Sequence, residues 1–342
     1  MSRRLQVLVA LVLLAAFAFG VNRFLASRQA HIAAASSPVE AKPVIILPGT
    51  LYLASNGDLF RLSHGTFTDL HMPKRAGTWM QPAVVPGSQN IVAVARQDAY
   101  SEVYLVSGTG KVLQQLSHNK TASATIQLNH WMFWPTVAAD GNTVYVSYDA
   151  PKSPQSYEIE FAVWKGALNA NLAARQWTTP FSYTGGDTES VPLANGNVLY
   201  AKYEIDGGNV FSRLALQTSP LRAPVYLTDS TSDCSQPAVS PDGTQVAMIC
   251  GNGTGLQSTS LQIASLTGST LGPPRTLIAG CLCASPSWAP DGSGLAFLNP
   301  ADATGHFQLW WIAGAAGALP KKPLQVTYGL DFDGTSPPAW AP

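Results

Sequence analysis

Charge is scarce in this sequence. Asp, Glu, Lys and Arg make up 12% of 342 residues, and bases and acids balance at 20 each. The balance is uneven along the chain. Residues 1–45 hold five Lys/Arg against one Glu, which leaves 15 against 19 beyond them. The larger part therefore has no basic surplus with which to displace the counterions of a nucleic acid, and that class of partner is excluded. Cysteine is absent before residue 234, which excludes a lipid-modified cysteine near the start. Sustained 3.6-residue periodicity is absent after residue 45, so almost no helix is expected there. Catalytic signatures are absent too: no G-x-S-x-G elbow, no H-E-x-x-H, no paired C-x-x-C, and no S-x-D-x-G-x-T-W box. No catalytic residue, cofactor or metal is assigned.

A repeat is present. Pro237-Ala-Val-Ser-Pro-Asp-Gly243 and Pro286-Ser-Trp-Ala-Pro-Asp-Gly292 are complete copies. Weaker copies start at Pro82, Pro135 and Pro192, and the last is Pro338-Ala-Trp-Ala-Pro342, which lacks the Asp-Gly. Successive leading prolines lie 53, 57, 45, 49 and 52 residues apart, a period that signals a propeller or another array. Each unit reads as a four-stranded antiparallel blade. The leading proline opens a strand, where no ladder donor is lost, and Pro-Asp-Gly reverses the chain. Apolar runs such as Val246 to Ile249 and Leu295 to Leu298 supply the returning strand. The sixth copy lacks its later strands, and Thr50 to Leu53, Asp58 to Leu62 and Thr66 to Leu70 match them. The pattern predicts an all-β, six-bladed β-propeller over residues 46–342, with one blade shared between its first and last strands, so that no sheet edge stays open.

On the residues of the two complete copies, with Tyr226-Leu-Thr228 and Gln325-Val-Thr327 as ladder endings, the chain resembles the TolB-type β-propellers and their P-x-W-S-P-D-G repeat. The resemblance covers roughly residues 46–342 and implies the fold. It names no activity. TolB's separate α/β domain has no counterpart in the roughly 45 preceding residues, so TolB's own role is not carried over.

Those preceding residues have their own pattern. Arg3 and Arg4 precede Leu5 to Val21, a 17-residue apolar stretch with one Gln. Residues 1–28 are expected to form a signal anchor or transmembrane segment, with cleavage and secretion as the alternative. Residues 29–45, rich in Ala, Ser and Pro, are expected to be a flexible linker. The expected location is the cytoplasmic membrane, with the propeller on its extracytoplasmic, periplasmic side.

The four cysteines, Cys234, Cys250, Cys281 and Cys283, cluster in two adjacent blades and are disulfide candidates, as in an oxidising compartment. Cys234 and Cys250 flank one hairpin almost symmetrically. Cys281 and Cys283 are left to pair with each other or to stay free, and pairing between Cys234 and Cys283 is also open. Acids gather in the loops of one face, among them Asp229, Asp233, Asp331 and Asp333, and aromatic and imidazole groups in the same entry loops include Trp79, His130 and Trp131. Trp79 and Trp131 fit no repeat position, which makes them candidate anchors for a partner, with the acidic rim steering encounter. The expected function is that of a non-catalytic, membrane-anchored scaffold binding a protein partner in the cell envelope. The alternative is a propeller enzyme, a glycan hydrolase or lyase, working through one loop face.

Overall fold

Six antiparallel sheets, five of four strands and one of five, stand around a central channel. The computed structural model describes residues 44–122, 126–150, 152, 159–168, 171–251, 258–301 and 305–342. The expected anchor, and the expected linker save its last two residues, lie outside these. Among the described residues no helix is long and apolar enough to cross a membrane, and the helical turns are two short 3-10 turns, Lys74–Ala76 and Ile126–Leu128.

The inner strands of blades 1 to 5 are Thr78–Val84, Met132–Val137, Asp187–Pro192, Cys234–Val239 and Ala284–Trp288. Blade 6 closes the ring. Its inner strand Ala339–Ala341 pairs with Thr50–Ser55, so that Thr50 faces Ala341 and Tyr52 faces Ala339. Asp58–Ser63 and Thr66–Asp69 complete that sheet. Apolar residues on the returning strands, such as Ile91 to Ala95 and Leu295 to Leu298, are almost wholly buried between blades.

Every inner strand of blades 1 to 5 carries the same irregularity. Two residues, Gln81-Pro82, Trp134-Pro135, Glu189-Ser190, Gln236-Pro237 and Ser285-Pro286, bulge opposite a single partner position. The first of each pair has a φ between +47° and +56°. Five non-glycine residues in the left-handed region each cost about 1–3 kcal/mol, so neighbouring structure must hold them there. The bulge also corrects the repeat. In blade 3 Ser190, not Pro192, occupies the proline position, and the intervals either side become 55 and 47 residues (190 − 135 and 237 − 190). The blade 3 turn closes from Leu193 N–H to Asn197 O, one residue shorter than the Ser240 to Gln245 turn of blade 4.

What holds the left-handed residues is a ring of bonds between blades. Four of the five bulge side chains, those of Gln81, Glu189, Gln236 and Ser285, reach the backbone of the next blade or of the segment entering it. Ser336 Oγ accepts from Gln81 N–H (2.6 Å), Gln81 Oε1 from Trp134 N–H (2.8 Å), Glu189 Oε2 from Gln236 N–H (2.7 Å), and Gln236 Oε1 from Ser285 N–H (2.7 Å). Pro337 has no N–H to offer, and Ser285 Oγ instead donates to Gly334 O (2.8 Å). Trp134 has no acceptor, and blades 2 and 3 are joined instead through Asp187 N–H to Phe161 O (2.6 Å).

Both cysteine pairs are joined, Cys234–Cys250 directly across the first hairpin of blade 4 and Cys281–Cys283 within the link to blade 5.

Candidate functional site

The loops leading into the inner strands meet at one end of the channel, and there the aromatic residues of blade 2 form a groove. Trp131 and Phe133 lie nearly parallel, with ring centres 5.8 Å apart and planes 16° apart. Phe161, from the far end of the same blade, sets its edge against Phe133 (5.8 Å) and Trp134 (5.9 Å). The Arg96 guanidinium of blade 1 sits 5.9 Å from the Trp131 ring centre. Together with Ile159 these residues line a cavity of about 340 Å³, within the size range of ligand sites. Ile159 is 41% exposed, and Trp131, Phe133, Trp134 and Phe161 are each half-buried. Half-burial leaves large apolar area available to a partner while the base of each ring stays fixed.

The fixing is polar. Asp149 is buried and accepts from Trp131 N–H (3.0 Å) and from the His130 imidazole (2.9 Å), and it pairs with Lys152 (2.7 Å). His130 is therefore a positioning group held against Tyr148, with ring centres 5.1 Å apart. Nearby, Glu102 is buried and accepts from Ser117 Oγ, Asn119 N–H and Lys120 N–H, which ties down the loop that leads to His130.

The groove opens beside the channel, whose cavity is about 360 Å³. Trp134 and Gln81 belong to both walls. Glu189 is the single titratable residue lining the channel among those described. It stands where the other bulged strands put Gln81, Trp134, Gln236 and Ser285. Burial pushes its carboxyl up to about 7, against the opposing pull of the Gln236 N–H. Among the described residues no three His, Cys, Asp or Glu side chains are arranged to hold a metal ion.

The residues singled out from sequence fall in different places. Trp131 is in the groove, and Thr335, from the turn after Asp333, reaches its wall. Trp79 is not a surface anchor. It is fully buried, 5.2 Å from the Tyr104 ring, with its indole N–H on Pro73 O (3.1 Å), because it occupies an inner-strand position that packs against the next sheet. The four loop acids are each engaged within or beside their own loops. Asp229 binds Thr231 and Ser232 within its own turn, Asp333 binds Thr335, and Asp233 accepts from the N–H and hydroxyl of Ser212. The Asp331 backbone carbonyl accepts from Ser55 Oγ. Asp229 and Asp233 lead into blade 4, away from the aromatic groove of blade 2. Arg96, Ile159 and Phe161 went unnoticed in the sequence, since residues 96, 131 and 161 meet only through the blade geometry.

No protein-family model and no curated protein sequence matches the chain. Solved structures do. TolB from Acinetobacter baumannii superposes with a TM-score of 0.58 at 15% identity, over 86% of this chain and 67% of that one. The propeller is TolB-like in fold. A candidate TolB from Agrobacterium tumefaciens gives 0.58 at 13% identity, over 85% and 93%. The same TolB-like ring matches a puromycin hydrolase with a TM-score of 0.52 at 19% identity, over 75% of this chain but 40% of that enzyme. At such identities the likeness establishes architecture, and the TolB-like propeller's chemistry rests on its own side chains.

Proposed function

We propose that the protein is a non-catalytic binding platform of the cell envelope, with the groove of Trp131, Phe133, Trp134 and Phe161 as the dock for a protein partner. The single observation that carries this reading is four clustered aromatic rings, held by buried polar groups yet half open to solvent, as rigid hot-spot anchors are. Residues 1–28 would tether the propeller to the membrane on its extracytoplasmic side. The two disulfides support an oxidising compartment. The TolB likeness supports a scaffold role, and the likeness to the puromycin hydrolase keeps an enzyme as the second reading. Glycan cleavage in the channel would need a second carboxylate within about 10 Å of Glu189, and the described lining supplies none.

A photo-crosslinking residue at position 131, and a control at Gln89 on the opposite face, tests this in cells. A discrete adduct from position 131, absent from position 89 and lost on Phe161→Ala, is the expected result. Equal labelling from both faces, or none from position 131, overturns the reading.

A further inference from the structure

Blade 3 carries a third cavity, of about 310 Å³, on its outer side against the segment leaving blade 2. Its floor is Tyr200, Lys202 and Gln217, and its rim includes Phe181, Leu221 and Arg222. The Lys202 side chain is 4% exposed and the Asp187 side chain fully buried, and their charges meet at 3.1 Å. Lys202 Nζ also donates to Thr179 O (2.9 Å), and its ammonium lies 5.3 Å from the Phe181 ring centre. This ion pair occupies a cross-strand position that holds Trp79–Ala95 in blade 1, Met132–Tyr148 in blade 2 and Cys234–Cys250 in blade 4. Well-packed apolar residues at such a site are usually at least as stabilising as a buried ion pair, so stability does not account for it.

The rim is built under strain. Leu221 has a φ of +60°, rare for a bulky side chain, and is pinned by its N–H on Trp177 O (2.8 Å). The Gln217 amide braces the same loop through Ser219 O (2.7 Å) and Arg222 O (2.8 Å). This leaves the Leu221 side chain 57% exposed and Phe181 46% exposed at the mouth. The charged residues that line the pocket are Lys202 and Arg222. Of the charges around it, Asp187 is paired with Lys202, Glu204 is taken up by Arg213 and by the Tyr226 hydroxyl, and Glu160 is held by the backbone N–H groups of Tyr183 and Thr184, which leaves the Arg222 guanidinium as the charge added at the pocket itself.

We propose that this pocket binds a small amphipathic carboxylate, with the acid group between Lys202 and Arg222 and the apolar body between Phe181 and Leu221. Lys202 has a third ammonium hydrogen beyond its two bonds, and Arg222 supplies a guanidinium at the rim. The site is separate from the aromatic groove, and its test is independent of the docking proposal.

The experiment is titration of the intact chain with 4-phenylbutyrate, followed by calorimetry and saturation-transfer NMR, with 4-phenylbutanamide as the uncharged control. The expected result is saturable one-to-one binding of the acid and at least about tenfold weaker binding of the amide, the size of one charge-assisted bond. Arg222→Glu and Leu221→Trp change exposed side chains and leave the buried pair alone. The first should weaken the acid about tenfold or more by charge reversal, and the second should abolish binding by filling the mouth. Equal affinity for acid and amide, no saturation below about 10 mM, or affinity unchanged in both variants overturns the proposal.

Discussion

The same cross-strand position is solved in opposite ways in two neighbouring blades. In blade 4 it is Cys234–Cys250, a covalent bond, and in blade 3 it is Asp187–Lys202, a buried ion pair. Blade 4 keeps the full repeat, Pro237 and the Pro-Asp-Gly turn included. Blade 3 has Ser190 for proline and a shortened turn. Burial raises the Asp187 carboxyl above its ordinary range even though Lys202 pulls it back, so the charge there is held at a cost. The difference teaches that the repeat is scaffold, and that the blade which departs from it most is the one that carries unexplained chemistry.

The comparison breaks most visibly at Lys202. Lys202→Met alone leaves a buried carboxyl without its partner and should cost about 3–5 kcal/mol in urea unfolding. Adding Asp187→Leu should restore most of that loss. If the double variant is no better than the single one, the pair is a net stabiliser and the contrast with blade 4 fails. On the other side, replacing Cys234 and Cys250 together by Ala should cost about 3 kcal/mol, as expected for a loop of sequence separation 16. The Cys281–Cys283 pair, of separation 2, should matter far less to thermal unfolding.

A third measurement concerns pH. Burial lifts the Glu189 carboxyl from 4.5 to about 7, so the folded chain binds that proton more tightly than the unfolded chain. Its contribution is therefore complete below about pH 4.5 and is lost as the pH rises through about 7. Glu189→Gln copies Gln81 and Gln236, keeps the acceptor for Gln236 N–H, and should be more stable than the parent at pH 8 but not at pH 4. A difference in melting temperature that does not change with pH would remove the assignment. The smallest effect belongs to the turns. Asp291→Ala in blade 5 loses its turn bonds to the N–H and side chain of Ser293, Asn195→Ala in blade 3 loses its bond to Asn197 N–H, and on these exposed turns each should cost about 1 kcal/mol or less. A larger loss in blade 3 would place its divergence in the turn and not in the ion pair.

The ring and its closure were legible because proline, turn and apolar strand recur together, and each has a local physical cause. Pro192 misled because it lies two residues beyond the true repeat position, on the same face of the strand, where the alternating pattern looks the same. Trp79 misled because a residue without a repeat partner was read as free, whereas interblade packing accepts Trp, Met or Cys at one position. Trp131 was singled out from sequence, but its neighbours Arg96 and Phe161 were not, because pairing across a sheet leaves no short-range mark. Glu204 belongs to a strand, not to a loop. Alternation along Val198–Asp206 turns it inward beside Lys202, where Arg213 holds it.

Ring closure also sets a clock. Thr50 and Ala339 are separated by 289 residues (339 − 50) yet belong to neighbouring strands of one sheet. At about 5–20 residues per second, synthesis of that interval takes about 15–60 s. Throughout it the apolar strand Thr50–Ser55 presents an open edge of unpaired N–H and C=O groups, the kind that invites pairing with another chain. A newly made molecule is thus most prone to aggregate long after most of its blades exist, and a holdase that covers one six-residue strand would protect the whole ring.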